Sequence, residues 1–115
     1  MHIYQKLRVW QAARRLVVEV YRVSQEFPSD ERFGLTAQMR RAAVSIPSNI
    51  AEGAGRGGKA FRQFLRYASG SAAELQTQLD LAGDLGFRDP EAIDRVVEDV
   101  QVVRKMLRRL IDPQS

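Results

Sequence analysis

The 115-residue chain has no cysteine, which excludes disulfides, thiolate metal sites and cysteine nucleophiles. Its one histidine is His2. A Ser–His or Cys–His catalytic pair therefore has no candidate, and the Glu-x-x-His pairs that di-iron bundles require on two helices are missing. Carboxylate pairs are the remaining catalytic option, but Asp80 and Asp84 read as solvent-facing. Long apolar runs are also missing. Val17-Val18 is followed at once by Glu19, and no stretch suits a transmembrane span or a signal-peptide core. Strand alternation, internal repeats and low-complexity segments do not occur. These absences set the expectation of a non-enzymatic, bacterial-type cytoplasmic protein that needs no cofactor, binds no metal and meets no membrane.

The composition is that of an ordinary globular domain, 44% apolar and 28% charged, long enough for a single core. The net charge is +4, but it is unevenly spread. Between Arg32 and Ala73 seven basic residues face one acid, Glu52, a balance of +6; between Glu74 and Asp99 eight acids face Arg88 and Arg95, a balance of −6. Basic residues return in Arg104, Lys105, Arg108 and Arg109. Such segregation fits a phosphate-binding face, or two faces that meet across a subunit contact. Fifteen of the eighteen basic residues are Arg, the residue suited to planar, multidentate contacts with phosphate or carboxylate.

Apolar residues recur at alternating spacings of three and four in four segments, which predicts helices over about 5–26, 36–54, 59–85 and 90–111. Leu7, Trp10, Ala13, Val17, Val20 and Phe27 mark the first, and Pro28 ends it. Leu35, Met39, Ala42, Ile46, Ile50 and Gly53 mark the second. That stripe keeps its phase across Pro47, so one helix kinked at Pro47 is expected, with Thr36 a candidate N-cap. In the third, Phe61, Leu65, Ala68, Ala72, Leu75, Leu79 and Ala82 flank the small-residue run Ala68–Ala73. Gly70 within that run suggests a close helix crossing, since mid-helix Gly costs ~1 kcal/mol relative to Ala. Asp89-Pro90-Glu91 opens the fourth helix with an N-cap, a first-position proline and an acid at the positive dipole end. The cations from Arg104 to Arg109 suit its negative end. Four helices of this length with short connections predict an all-α, antiparallel, up-down-up-down four-helix bundle.

Gly53, Gly55 and Gly58 satisfy G-x-G-x-x-G, and Gly53 with Gly58-Lys59 satisfies the first part of the P-loop pattern. Both motifs require a preceding strand, whereas a helix is expected here, and Ala60 stands where the P-loop needs a hydroxyl. Nucleotide chemistry is therefore rejected. Turn chemistry is the commoner use of a glycine cluster. Free amides beside Arg56, Lys59 and Arg62 still make a candidate anion site at the start of the third helix.

Around these glycines the chain resembles the four-helix-bundle proteins of the S23 type, encoded by intervening sequences in bacterial 23S ribosomal RNA genes. The residues that carry the likeness are Trp10-Gln11-Ala12-Ala13, Phe27-Pro28, Gly34-Leu35-Thr36 and above all Ser45-Ile46-Pro47-Ser48-Asn49-Ile50-Ala51-Glu52-Gly53. Phe64-Leu65, Ala68-Ser69-Gly70-Ser71 and Leu85-Gly86-Phe87 continue it. The resemblance implies a bundle that assembles into a ring-shaped homo-oligomer, a pentamer. The family is similar in turn to the accessory proteins of diversity-generating retroelements, which bind nucleic acid and a reverse transcriptase through a basic pentameric barrel.

The expected function is binding of RNA or DNA backbone through Arg40, Arg56, Lys59, Arg62 and Arg66. Arg62 and Arg66 are four apart on one side of a helix, with Phe61 and Tyr67 near enough to add stacking to phosphate contact. Arg41 is assigned instead to an internal polar ladder with Ser45, Ser48 and Glu52, which leaves Arg40 free for a partner. The alternative is a protein-interaction scaffold whose opposite charges match neighbouring subunits or a partner protein.

Overall fold

A computed structural model describes residues 3–114, so His2 lies outside the described residues. A 3-10 turn, Ile3–Lys6, precedes four helices: α1 (Arg8–Ser24), α2 (Leu35–Arg56), α3 (Gly58–Asp84) and α4 (Pro90–Ile111). Each helix packs on the next and α4 returns to α1. The result is an elongated bundle of 42 × 26 × 20 Å. Leu16, Val20, Met39, Ile46, Ile50, Leu65, Leu75, Leu79, Val100, Val103 and Leu107 are fully buried along its axis. These are the three-and-four stripes of the sequence turned inward. No helix among the described residues is long and apolar enough to cross a membrane.

The helix boundaries show where local chemistry departed from the sequence expectations. The first expected turn of α1 is instead the 3-10 segment, with Leu7 in an extended conformation (φ −76°, ψ 127°) between them. Thr36 is not the cap of α2. Gly34 holds that position, and the Glu31 carboxylate accepts from the Leu35 amide at 3.1 Å. A side chain four residues upstream thus replaces the expected hydroxyl. α2 runs through Pro47 as one helix. Pro47 denies the Ala43 carbonyl its usual donor. Side chains serve the carbonyls on either side: Ser45 Oγ donates to Ala42 O, Ser48 Oγ to Val44 O and Asn49 Nδ2 to Ser45 O, each at 2.8 Å.

The connection between α2 and α3 is one residue, not a loop. Gly57 sits at φ 74°, ψ 176°, a conformation essentially restricted to glycine. Its amide closes α2 on Gly53 O at 2.9 Å, and its carbonyl opens α3 by accepting from Phe61 at 3.2 Å. With no slack between them, the two helices fold back on each other at close range, and small residues permit the approach. Gly53 is buried where Phe61 and Phe64 of α3 cross it.

At the other end of α3, Gly86 adopts φ 71° and the Phe87 amide reaches back to Ala82 O at 3.0 Å. The chain then turns so that Phe87 packs on Phe27, with ring centroids 5.6 Å apart. Asp89 caps α4 as the sequence predicts, accepting from the Ala92 amide at 3.2 Å. That bond, first, and the neighbouring Arg88 hold its carboxyl below the ordinary carboxylate range.

Candidate nucleic-acid interface

The one-residue junction at Gly57 determines what the start of α3 presents. The first turn of α3 contains no acid, and no side chain caps its amides. The amides of Gly58, Lys59 and Ala60 precede the first intrahelical bond and point outward at the positive end of a 27-residue helix. Lys59, Arg62 and Arg66 rise beside them, all exposed, and none makes an ion pair among the described residues. Together with Gly58, Ala60 and Gln63 they line an open hollow of 840 Å³. From Arg56 to Ala73 the chain supplies no acid; those at the margin of this surface are Glu52, paired with Arg56, and Asp112, which lines a hollow with Arg62 and Arg66.

The cationic surface extends onto a second helix. Arg62 and Arg66 border a hollow completed by Ile111, Asp112, Pro113 and Gln114, so the end of α4 lies against the start of α3. Farther along the same seam, Ser69 and Gln76 of α3 face Gln101, Arg104 and Arg108 of α4 across a third hollow. Arg104 is half-buried and donates to Gln76 Oε1 at 2.8 Å, which ties it across the seam to α3. Along the α3–α4 seam, Arg62 and Arg66 of α3 thus stand opposite the end of α4, where Asp112 adds an acid, and Arg104 and Arg108 of α4 stand opposite neutral Ser69 and Gln76. Arg104 and Arg108 were absent from the sequence-derived site because their place near a helix C-terminus already had an explanation. Their spacing of four, on a helix antiparallel to Arg62 and Arg66, was the signal available.

Two of the expected residues are engaged in other ways. Arg40 is half-buried against α1: Nε donates to Ser24 Oγ at 2.9 Å, and the guanidinium lies 4.5 Å from the Tyr21 ring centroid. Ser24 is itself buried and donates to Val20 O at 2.7 Å, so Arg40 ties α2 to the end of α1. It lies sixteen residues before Arg56 on the same helix, about 24 Å along the axis, far from the α3 start. The exposed member of the pair is Arg41. The ladder assigned to Arg41 does not form. Ser45 and Ser48 bond to their own helix, and Glu52 pairs with Arg56 at 2.8 Å. Arg56 is exposed at the edge of the patch, with its charge shared with Glu52 and its guanidinium 5.2 Å from the Phe64 centroid.

The acids gather elsewhere. Glu19 of α1 and Glu98 and Asp99 of α4 share a hollow with Glu26, Arg22, Arg88 and Arg95 on the α1–α4 side. Partial burial first, then repulsion from Glu19 and Glu98, raises the Asp99 carboxyl above its usual value, and Arg15 opposes this. This seam is of mixed charge, four acids against Arg22, Arg88 and Arg95, so the segregation read along the sequence is only partly kept in space. Among the described residues no group of three or more His, Asp or Glu side chains stands together as a metal site would require.

The fold and its sequence have relatives. A solved structure of a protein of unknown function from the S23 ribosomal protein family of Bacteroides thetaiotaomicron VPI-5482 superposes with a TM-score of 0.84 at 21% identity, covering 90% of this chain and 98% of that one. At that identity the likeness speaks for the fold alone. No curated relative matches the sequence. The family of 23S rRNA-intervening sequence proteins matches over residues 5–109, nearly the whole chain, including α1 to α3, the Gly57 junction and all but the end of α4. The chain belongs to the 23S rRNA-intervening sequence protein family.

Proposed function

We propose that this chain is a non-enzymatic, homo-oligomeric bundle that binds the phosphate backbone of RNA or DNA through the start of α3 and the adjoining α3–α4 groove. The observation that carries this reading is the cluster of Lys59, Arg62 and Arg66 at the start of α3, with Arg108 and Arg104 farther along the same α3–α4 seam. Three of these cations stand beside uncapped amides at a helix N-terminus. Arginine's planar fork suits phosphate. Cations held in a row by two rigid helices need little reordering on binding, which limits the entropy cost of holding a charged strand. Arg56 contributes at the margin, and Arg40 belongs to the scaffold.

The test is replacement of Arg56, Lys59, Arg62 and Arg66 by Ser, with affinity measured for several unrelated sequences. Backbone recognition predicts a uniform loss across sequences. Unchanged affinity would exonerate the patch.

One observation favours a second reading, in which the bundle is a protein-interaction scaffold. The α1–α4 hollow gathers Glu19, Glu98 and Asp99 although partial burial and the other two acids raise the Asp99 carboxyl, a cost that a cationic partner surface would reduce. Under that reading the same four substitutions split the oligomer, and light scattering reports a lower mass with no nucleic acid present.

A further inference from the structure

Two aromatic residues flank the cationic start of α3, and the structure treats them oppositely. Phe61 is half-buried where it packs on Gly53. Tyr67 is 50% exposed, one position beyond Arg66 on the outward side of α3. It is supported from within: its ring meets Phe64 edge-on at 5.4 Å and 84°, and Phe64 carries the Arg56 guanidinium on its other contacts. The ring is therefore held in place by neighbours that leave its outer surface open.

Gly70 explains why that surface stays open. Side chains on a helix lean toward the N-terminus and cover the position three or four residues earlier. A side chain at 70 would lie over Tyr67, and Gly70 has none. A Cβ built there meets nothing within 4 Å, so close helix packing is not the reason for this glycine. The sequence expectation of a helix crossing at Gly70 is thus not met within the chain; the close crossing is at Gly53. What Gly70 does achieve is a bare strip beside an exposed aromatic ring and Arg66.

We propose that Tyr67 stacks an unpaired base of a single-stranded nucleic acid whose phosphates lie on Lys59, Arg62 and Arg66. This rests on the phosphate-binding reading above and narrows it to single strands. A duplex keeps its bases stacked on one another and offers no free base to a ring standing on a convex helix face, whereas an unpaired base has two open π-faces.

The test compares the intact protein with Tyr67→Ala, Tyr67→Phe and Gly70→Met. The probes are a mixed-sequence single-stranded RNA, the corresponding DNA and a duplex of equal length, each titrated at two salt concentrations. Tyr67→Ala should weaken single-strand binding by roughly five- to hundredfold, the usual effect of removing one stacked base, and leave duplex affinity and the salt slope unchanged. Tyr67→Phe should retain single-strand binding, and Gly70→Met should lose it by covering the ring. The RNA and DNA arms identify which strand is preferred. If Tyr67→Ala changes nothing, or weakens duplex and single strand alike, stacking is overturned while the phosphate-binding reading stands. If the unmodified protein binds none of the probes, both fall.

Discussion

A Cβ placed on Gly53 would lie 2.6 Å from the Phe64 Cβ, closer than two side chains can stand. Gly53 lets α2 and α3 approach at the end where a single residue joins them, and so sets the spacing of the cationic surface built on α3. Gly53→Ala must push the helices apart or tilt α3, at a cost of about 1–3 kcal/mol for overpacking. Chemical denaturation should show this as a lower midpoint with an unchanged slope. The control is Gly70→Ala in the open strip of α3, which should gain up to about 1 kcal/mol from helix propensity alone. Equal effects at the two glycines would contradict the packing described here.

Arg40 and Arg41 are neighbours in sequence with opposite roles. Arg40→Ala removes a hydrogen bond to buried Ser24 and a cation–π contact with Tyr21, for a loss of about 1–2 kcal/mol. Arg41→Ala, at an exposed position, should change stability by no more than about 0.5 kcal/mol. A thermal melt of each variant decides between them. A larger loss at Arg41 would restore the polar ladder that the sequence suggested.

The acids of the α1–α4 seam give a pH-dependent test. The Asp99 carboxyl is raised in the folded state by partial burial and by Glu19 and Glu98. A raised carboxylate destabilises the fold when ionised. That cost is fully present above its folded pKa and disappears as pH falls through the raised value toward the unfolded one. Asp99→Asn should therefore raise the melting temperature slightly at neutral pH, within the ~0.5 kcal/mol typical of exposed positions. The gain should vanish below the ordinary carboxylate range. Asp89 behaves in reverse: its carboxyl is lowered, so its stabilising cap persists above the unfolded pKa and is lost as pH falls through the folded one. Asp89→Asn should consequently flatten the acid side of the stability profile.

The periodicity of the apolar residues was sufficient for the fold, because burial along a helix leaves a three-and-four pattern in every segment. Asp89-Pro90 likewise marked its helix start locally. What the pattern did not contain is which side chain meets which across a seam. Arg40 and Arg41 differ by 100° around α2, and only the position of Ser24 on α1 decides which is captured. Glu52 had an Arg eleven positions before it and one four after it, and the nearer was chosen. Arg104 and Arg108 joined the patch only through the packing of α4 on α3. The glycine cluster was recognisable as a turn, but its contraction to Gly57 alone depends on a backbone conformation that no spacing rule encodes.

The central claim is that the start of α3 and the α3–α4 groove neutralise phosphates. The most direct measurement is affinity for a nucleic acid as a function of salt. If six phosphates are neutralised, affinity should fall by ~10³ between 50 and 200 mM salt, with a linear log–log slope. Replacing Lys59, Arg62 and Arg66 by Ser should make that slope shallower by about three counterions' worth. A salt-independent affinity, or a slope unmoved by those substitutions, would contradict the account.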